Sequence, residues 1–241
     1  LLASTIPTLN CYDPAFMYEI AVIISHGLTQ MFEKNKNEFY YLTLSNENYL
    51  QPEMPSGVES GIINGLYKFE KSDEKNKLQA HIFGSGSTIN LALEAKKILE
   101  KEYAISIDIW SATNYKKLRA DAINCDRQNM LNPTKKRKES YLEKTLKDQK
   151  GVFVAVSDYM RIVPDQIEKW VPGGLFVLGT DGFGRSDTRE NLREFFEINK
   201  EFIVIATLYQ LALKGEVDYA VVEKAIKSMG IDPDKSFPEF K

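Results

Sequence analysis

The stretch that decides the fold is LQAHIFGSGSTINLALEAKKILEKEYAISIDIW, residues 78–110. It begins with an apolar run, Leu78 to Phe83, which is typical of a buried β-strand, and passes through a turn of glycine and serine. Apolar residues then recur at helical spacing from Thr88 to Tyr103, and Ile105 to Trp110 is a second strand pattern. A strand, a helix and a strand in this order predict a crossover unit with the two strands parallel in one sheet.

The same alternation continues toward the end of the chain. It predicts a helical region from about Tyr115, strands at Val152 to Val156 and Leu175 to Leu178, and helices at Tyr159 to Trp170, Thr188 to Ile198, Glu201 to Lys214 and Tyr219 to Met229. Pro164 is expected to kink the helix at 159–170 or to move its start. Together these patterns predict a three-layer α/β/α domain with a mostly parallel, mixed sheet.

The first 70 or so residues form a separate pattern. Asp13-Pro14 is a helix entry signal, the helix is expected to run to about Glu33, and FYYLTL at 39–44 predicts a strand. A loop, a short helix and a strand near 66–69 follow. The polar stretch KSDEKNK at 71–77 is the best linker candidate, so we expect two units, residues 1–74 and 75–241. The first is predicted to be the end of another α/β domain.

The composition limits the classes of function. The 241 residues are 43% hydrophobic and 27% charged with a formal charge of -3, which is typical of a globular domain and offers no electrostatic basis for a nucleic-acid or anionic-membrane partner. The basic run at 135–138 has acidic neighbours and no interleaved aromatic residues, and we interpret it as a solvated surface. Cys11 and Cys125 have no disulfide or zinc spacing, which fits a reducing compartment.

Membrane and processing signals are also missing from the sequence pattern. No apolar run reaches the roughly 18 residues of a membrane span, and no signal-peptide pattern opens the chain. The chain begins with Leu1-Leu2-Ala3, and we expect it to be a piece of a longer protein.

Two motifs raise the question of nucleotide or acid–base chemistry. GSGS at 84–87 lies where a dinucleotide-binding loop would be, but Ile89 stands at the position of the third glycine, and Asp108 falls inside a strand pattern. We therefore interpret the motif as a tight turn into a helix. The two histidines, His26 and His81, have no acidic or thiol partner at useful local spacing, which favours structural roles.

GTDGFGRSDTREN, residues 179–191, leads from a strand into a helix. Asp187 and Glu190 resemble a capping box, and an exposed helix start with Arg185 and Arg189 nearby could hold an anion. However, Asp187 would occupy the same amide groups. We favour a structural or interface turn, in which the shaping residues are Gly182, Gly184, Arg185, Ser186, Asp187 and Arg189.

This stretch closely resembles a hallmark segment of the homodimeric pyruvate dehydrogenase E1 component, a family of thiamine-diphosphate-dependent decarboxylases. Four further segments look like parts of that family in the same order and at similar spacing. They are TIPTLNCYDPAFMYEIAVI, YYLTLSNENYLQPEMPSGVESGI, FGSGSTINLALEAKKILEKEY and CDRQNMLNP. Gln128 and the basic stretch 134–140 depart from the family pattern, which leaves the local packing there open. The resemblance covers nearly the whole chain.

The resemblance implies that residues 1–74 end the pyrimidine-binding domain and that residues 75–241 are the transketolase-like C-terminal domain. It implies thiamine diphosphate and Mg²⁺ in the parent enzyme, a homodimer, an E2 dihydrolipoamide acetyltransferase partner, and a bacterial-type cytoplasmic location. The diphosphate motif and the active-site histidines of the family are not in this sequence. We therefore expect no catalytic, cofactor-binding or metal-binding residue in the chain and no activity of the chain alone.

One segment separates the relatives by substrate. Transketolases carry Ser-Arg-Gln-Asn after the equivalent strand, where the arginine grips a sugar phosphate, whereas this chain has Ser45-Asn46-Glu47-Asn48. An uncharged Asn46 removes the bidentate phosphate donor and suits a small 2-oxo acid. The candidates for the wall of a substrate channel are Asn46, Glu47, Asn48 and Tyr49. Ordinary turn chemistry is the alternative for these residues.

Three other functions stay open from the sequence. The chain could be a non-catalytic assembly domain, part of a transketolase-type enzyme, or, resting on GSGS alone, a nicotinamide-binding domain.

Overall fold

The computed structural model describes residues 1–73 and 76–240. Within these residues, the strands are β1 (Leu9–Tyr12), β2 (Phe39–Leu42), β3 (Tyr67–Glu70), β4 (Leu78–Gly84), β5 (Ile105–Ser111), β6 (Val152–Val156) and β7 (Phe176–Leu178). The helices are α1 (Met17–Leu28), α2 (Glu59–Asn64), α3 (Ile89–Tyr103), α4 (Tyr115–Leu131), α5 (Tyr141–Leu146), α6 (Ile162–Asp165), α7 (Arg189–Phe195), α8 (Lys200–Leu213) and α9 (Tyr219–Ser228). A π-helical turn, Thr29–Glu33, extends α1.

The main sheet has five strands in the order β3-β5-β4-β6-β7. The strands from β4 to β7 run parallel, and β3 pairs antiparallel with β5 at the edge. The crossover unit expected from residues 78–110 is present, with Leu78 opposite Ile105 and Gly84 opposite Ser111. The predicted fold class, a mostly parallel but mixed sheet in an α/β domain, is confirmed.

Helices cover both faces of this sheet because successive side chains of a buried strand point in opposite directions. Ile82 and Val154 pack on one face with α3, α8 and α9, and Phe83 and Phe153 pack on the other with α4 and α5. All five residues of β6 are buried, as expected for a strand between two helical layers. The α/β/α layering follows from these two apolar clusters.

The N-terminal part contains a two-stranded parallel sheet, in which Leu9 pairs with Phe39 and Tyr12 with Leu42. A small apolar core lies between this sheet and the helices α1 and α2. It consists of Tyr12, Ile23, Ile62 and Tyr67. Helix α1 begins at Met17, so the predicted entry at Asp13-Pro14 was wrong. The Asp13 carboxylate accepts a hydrogen bond from Thr43 Oγ1, 2.5 Å away, and does not cap the helix.

The expected division of the chain falls on residues 74 and 75, which lie outside the described residues. Strand β3, on the N-terminal side of that division, pairs with β5 in the main sheet. The Glu19 carboxylate also joins the two parts, since its Oε1 accepts hydrogen bonds at 2.6 Å from Tyr67 Oη and from Ser111 Oγ of β5. The N-terminal residues therefore pack directly against the larger sheet.

The helix predicted at 159–170 is shorter than expected. The chain forms α6 and then a 3₁₀ turn at Glu168–Trp170, with Ile167 N–H donating to the Pro164 carbonyl three residues back. Pro164 has no N–H to continue an α-helical ladder beyond the first turn. This break lets Ile167 and Val171 enter the core on the α4 side.

Candidate functional site

The carboxyl ends of β4, β6 and β7 meet the loop that follows β2. They enclose a cleft of about 490 Å³, which is lined by Ser45, Asn46, Ser87, Asp158, Thr180, Gly182, Gly184, Arg185, Asp187, Arg189, Leu192, Arg193, Phe196 and Ile198. Ligands of parallel α/β sheets bind at the carboxyl ends of the strands. The cleft brings Asn46, one of the predicted channel residues, together with the turn at 179–191, which is far from it in sequence.

An ion pair between Glu47 and Arg193 joins the loop after β2 to helix α7. Arg193 Nη1 donates to Glu47 Oε1 at 3.1 Å, and Nη2 donates to Oε2 at 2.8 Å, so the contact is bidentate. The Glu47 and Arg193 side chains are 18% and 11% exposed, which limits screening by water. Burial would raise the pKa of the Glu47 carboxyl, but the hydrogen bond and the charge of Arg193 outweigh it and lower the pKa.

The same guanidinium continues a polar chain to the end of β6. Arg193 Nη2 donates to Ser87 Oγ at 3.1 Å, and Ser87 Oγ donates to Asp158 Oδ2 at 3.1 Å. Burial raises the pKa of the Asp158 carboxyl, and the charge of Arg193 and the Ser87 hydroxyl oppose this rise only in part. The floor of the cleft is therefore a connected network that ties the loop after β2 to two strands of the main sheet.

The other residues of the predicted channel wall have different surroundings. Arg189 Nη2 donates to the Asn46 carbonyl at 2.9 Å, and Asn46 lines the cleft. Tyr49 Oη donates to the Ala15 carbonyl, which anchors the loop to the start of α1. Asn48 is exposed and does not line this cleft. Contact of these residues with a substrate stays a prediction.

In the turn at 179–191, Gly182 and Gly184 differ in whether the backbone requires a glycine. Gly182 has φ +97°, and a Cβ there would lie 2.8 Å from Glu239 Cα. Gly184 has no positive φ, and no atom lies within 4 Å of its Cβ position, so the turn does not require glycine at this residue. Arg185 packs over the Phe195 ring, with the guanidinium carbon 4.4 Å from the ring centroid.

The helix after the turn is capped one residue later than predicted. Thr188 is the N-cap, and its hydroxyl accepts from Asn191 N–H at 3.3 Å. Asp187 Oδ1 accepts from Thr188 N–H and from Asn191 Nδ2, so Asp187 braces the turn and does not form the expected capping box with Glu190. Ser186 is exposed. These contacts favour the structural interpretation of the turn over a phosphate cradle, since a carboxylate already lies at the helix start.

Replacing each of these glycines separates their roles. Gly182→Ala is expected to lower the free energy of unfolding by about 2 kcal/mol, from left-handed strain and from the overlap with the backbone near Glu239. Gly184→Ala is the matched control and is expected to change the free energy of unfolding by less than about 0.5 kcal/mol. Urea unfolding of the two variants measures the difference. If both variants were destabilised equally, the conclusion that the turn requires glycine at Gly182 and not at Gly184 would be wrong.

Sequence reasoning missed Ser87, Asp158 and Arg193. Arg189 and Arg193 are four residues apart on α7 and therefore share one face, a spacing that could have indicated a common acidic partner. Their partner Glu47 is 146 residues from Arg193, and no local pattern predicts that contact. Ser87 and Asp158 belong to the turns after β4 and β6 and meet only because these strands are neighbours.

The other candidate motifs are structural. His81 Nδ1 accepts from Trp110 Nε1 at 3.3 Å, its Nε2 lies 2.8 Å from the Lys150 carbonyl, and its ring stacks on Phe153. Burial lowers the pKa of His81, which keeps the ring neutral. The Asp108 carboxylate lies 2.5 Å from Lys68 Nζ and is not free to bind a ribose. In the GSGS turn, a Cβ at Gly84 would lie 2.6 Å from Ile89 Cα, which explains the close turn into α3.

Among residues 1–73 and 76–240, no group of three or more His, Cys, Asp and Glu side chains is placed to hold a metal ion. No helix formed by these residues is long and apolar enough to cross a membrane.

The sheet order, the layering and the cleft at the strand ends define the class of this chain, and comparison with known proteins agrees. Residues 65–199 match the transketolase-like TK C-terminal domain, and residues 1–52 match the pyruvate dehydrogenase E1 component middle domain. The chain belongs to the transketolase-like C-terminal domain family.

Curated relatives narrow the resemblance to one enzyme component. The chain is 45% identical over 239 residues to the pyruvate dehydrogenase E1 component of Pseudomonas aeruginosa, covering 99% of the chain and 27% of the relative. It is 44% identical over 236 residues to that of Escherichia coli K12, covering 97% of the chain and 26% of the relative. The chain is thus homologous to this component along nearly its whole length and spans about a quarter of the relatives it matches.

Solved structures support the fold alone. A transketolase from Leishmania mexicana superposes with a TM-score of 0.64 at 22% identity, covering 88% of this chain and 26% of that one. A split-gene transketolase described as an inactive beta4 tetramer gives a TM-score of 0.53 at 15% identity. The match covers 88% of this chain and 60% of that one.

Proposed function

We propose that this chain is the C-terminal part of a pyruvate dehydrogenase E1 component that decarboxylates pyruvate and reductively acetylates the lipoyl group of E2. The homology to E1 components over 99% of the chain carries the proposal. Under this proposal, the chain supplies the dimer-building domain and one wall of the substrate channel, and it is inactive on its own. We place the parent in a bacterial-type cytoplasm.

The loop after β2 supports a small substrate. Asn46 lines the cleft. Of the three arginines there, Arg193 binds Glu47, Arg189 binds the Asn46 carbonyl, and Arg185 packs over the Phe195 ring. In a transketolase-type enzyme we would expect a free guanidinium at the position of Asn46 to bind a sugar phosphate. The proposal therefore favours a 2-oxo acid over a phosphorylated sugar.

The residues of this chain do not fit a site for thiamine diphosphate and Mg²⁺. The described residues offer no acidic cluster for the metal, and the sequence has no G-D-G…N motif. The proposal assigns both cofactors to the rest of the parent protein.

Exposed apolar side chains support an assembly role. Met17, Ile24 and Leu28 of α1, together with Phe32 and Phe39, are all exposed. Met17, Ile24 and Leu28 are seven and four residues apart and therefore share one face of α1, which is typical of a face that another domain or subunit covers. The proposal places the homodimer contacts and the remainder of the parent enzyme against such surfaces, and a purely non-catalytic assembly domain is the alternative.

Activity measurements on the parent protein test the function. With thiamine diphosphate and Mg²⁺, the parent is expected to release CO₂ from pyruvate, and the 241-residue chain alone is not. Glu47→Gln in the parent is expected to lower kcat/KM for pyruvate about tenfold, because the channel wall loses its bidentate contact with Arg193. Glu190→Gln, an exposed neighbour on α7, is the control. Turnover of sugar phosphates in place of pyruvate would refute the proposal.

A further inference from the structure

A cavity of about 890 Å³ opens between α1, the π-helical turn that extends it, α2 and the first turn of α4. Its volume lies within the roughly 300–1,000 Å³ of small-molecule sites. It shares no residue with the cleft at the strand ends, so the two are separate. Three lysines, Lys34, Lys36 and Lys117, line its wall.

The three lysines are unpaired. None of their amines forms an ion pair or a hydrogen bond with a described residue. One acidic side chain, Glu59, also lines the cavity. A second, Glu38, does not line it and accepts a hydrogen bond from Tyr40 Oη at 3.1 Å. Three ammonium groups and one carboxylate therefore leave two positive charges unbalanced on the cavity wall.

The electrostatic effects of these lysines show that they act on one place. His26 lines the same cavity, and burial together with the charges of all three lysines lowers the pKa of its ring, against the charge of Glu38. The ring is therefore neutral above pH 7 and adds no charge. Burial also lowers the pKa of the Lys117 amine, the charge of Glu38 opposes this, and the charge of Lys36 lowers the pKa further.

A nearly buried amide on the same wall also has no partner. Gln30 is 4% exposed and lines the cavity, and no described residue hydrogen-bonds its side chain. Its Oε1 and Nε2 atoms are not among the buried side-chain atoms that lack both solvent contact and a partner, so the amide reaches the cavity. An unpaired amide at this depth offers a donor that a ligand can satisfy.

The backbone at this place is unusual. Lys34 N–H donates to the Thr29 carbonyl at 3.0 Å, which closes the π-helical turn, and Asn35 has φ +49°. Lys36 N–H then donates to the Gln30 carbonyl at 3.0 Å. These bonds hold both lysines on the same wall as the Gln30 amide. Single π-helical turns and left-handed non-glycine residues are both frequent at functional sites.

We propose that this cavity binds a small phosphate monoester, whose charge of nearly -2 matches the two unbalanced positive charges on the wall. The lysines would supply the charge, as lysine does in many phosphate sites, and Gln30 Nε2 would donate to a phosphate oxygen. The hydroxyls of Ser25 and Thr29, which also line the cavity, would be further donors. The site is independent of the channel wall at Asn46 to Tyr49 and of the function proposed for the parent enzyme.

Glycerol 3-phosphate is a suitable probe, and glycerate and glycerol are its monoanionic and neutral counterparts. The 241-residue chain is titrated at low ionic strength, and backbone amide NMR shifts followed to about 20 mM probe detect a Kd near 1 mM. We expect glycerol 3-phosphate to shift residues around Gln30 and Lys117 saturably. Glycerate should bind at least about fivefold more weakly, because it carries half the charge, and glycerol should not bind.

Three variants locate the binding. Lys117→Met should weaken glycerol 3-phosphate binding at least about fivefold, because it removes one of the unpaired charges. Gln30→Leu should weaken it about three- to fivefold, because it removes one donor. Lys224→Met alters an exposed lysine of α9 and is the matched control, which should keep the wild-type affinity.

Thermal unfolding separates a loss of binding from a loss of structure. Gln30→Leu should leave the unfolding midpoint of the ligand-free chain unchanged or higher, since the amide it removes has no partner. The absence of saturable shifts with glycerol 3-phosphate would overturn the proposal. Equal affinity for glycerol 3-phosphate and glycerate would overturn it as well, and so would wild-type affinity in both Lys117→Met and Gln30→Leu.

Discussion

Glu19→Ala is expected to lower the free energy of unfolding by about 4 kcal/mol. The Glu19 side chain is fully buried and accepts four hydrogen bonds. Ala15 N–H and Phe16 N–H donate to Oε2 at the start of α1, and the hydroxyls of Tyr67 and Ser111 donate to Oε1. Burial raises the pKa of this carboxyl, and the four donors oppose that rise.

The expected loss is large because the alanine variant leaves several buried donors unpaired at once. It also removes the hydrogen bonds from Glu19 of α1 to the edge strand β3 and to β5 of the main sheet. In a domain of this size the midpoint of thermal unfolding should fall by roughly 10 °C. Calorimetry and urea unfolding measure the effect.

A graded series makes this prediction specific. Glu19→Gln keeps the side-chain volume and one acceptor oxygen. We therefore expect it to lower the free energy of unfolding by about half as much as Glu19→Ala. Glu102→Ala removes an exposed glutamate from α3 and should change the free energy of unfolding by less than about 0.5 kcal/mol. If Glu19→Ala and Glu102→Ala behave alike, the carboxylate of Glu19 does not hold the two parts together.

Gly151→Ala is expected to destabilise the fold by more than about 4 kcal/mol. Gly151 has φ +102° immediately before β6, and a Cβ there would lie 1.9 Å from the Gln79 carbonyl oxygen of β4. That oxygen belongs to the backbone and cannot rotate away. The variant must separate the first residues of β4 and β6, which pair from Ala80 and Val152 onward.

Gly215→Ala provides the comparison, because it isolates the cost of the backbone angle. Gly215 also has a positive φ, +71°, but no atom lies within 4 Å of its Cβ position. Left-handed strain alone should cost about 1–2 kcal/mol there. The two variants should therefore differ by at least about 2 kcal/mol in urea unfolding. A Gly151→Ala protein as stable as Gly215→Ala would show that β4 and β6 tolerate a shift at this contact.

Local patterns predicted the elements of the main sheet well where the apolar period was clear. VFVAV at 152–156 and ISIDIW at 105–110 are strands as expected, since continuous apolar runs of this length fit a sheet buried on both faces. Strand β1, LNCY, was missed because two of its four residues are not strongly apolar and the strand is short. The antiparallel pairing of β3 also has no local signal, since pairing direction depends on the path of the chain.

Capping residues were predicted less reliably than the helices themselves. Both Asp13 and Asp187 have the residue type of a helix cap, yet α1 begins at Met17 and the cap of α7 is Thr188. Each carboxylate has another donor within reach, the Thr43 hydroxyl for Asp13 and the Asn191 amide for Asp187. The choice among competing donors is made by tertiary contacts, which the spacing of residues does not report.

The amino-acid sequence by itself determined the class of fold and the family resemblance, and it singled out Asn46 and the turn at 179–191, which line the cleft. Periodicity and turn residues are local properties, so they can be read along the chain. Only the tertiary structure decided that Glu47 pairs with Arg193 and that Ser87 and Asp158 join them at the ends of β4 and β6. These groups are distant in sequence, and they meet because parallel strands bring their carboxyl ends to one edge of the sheet.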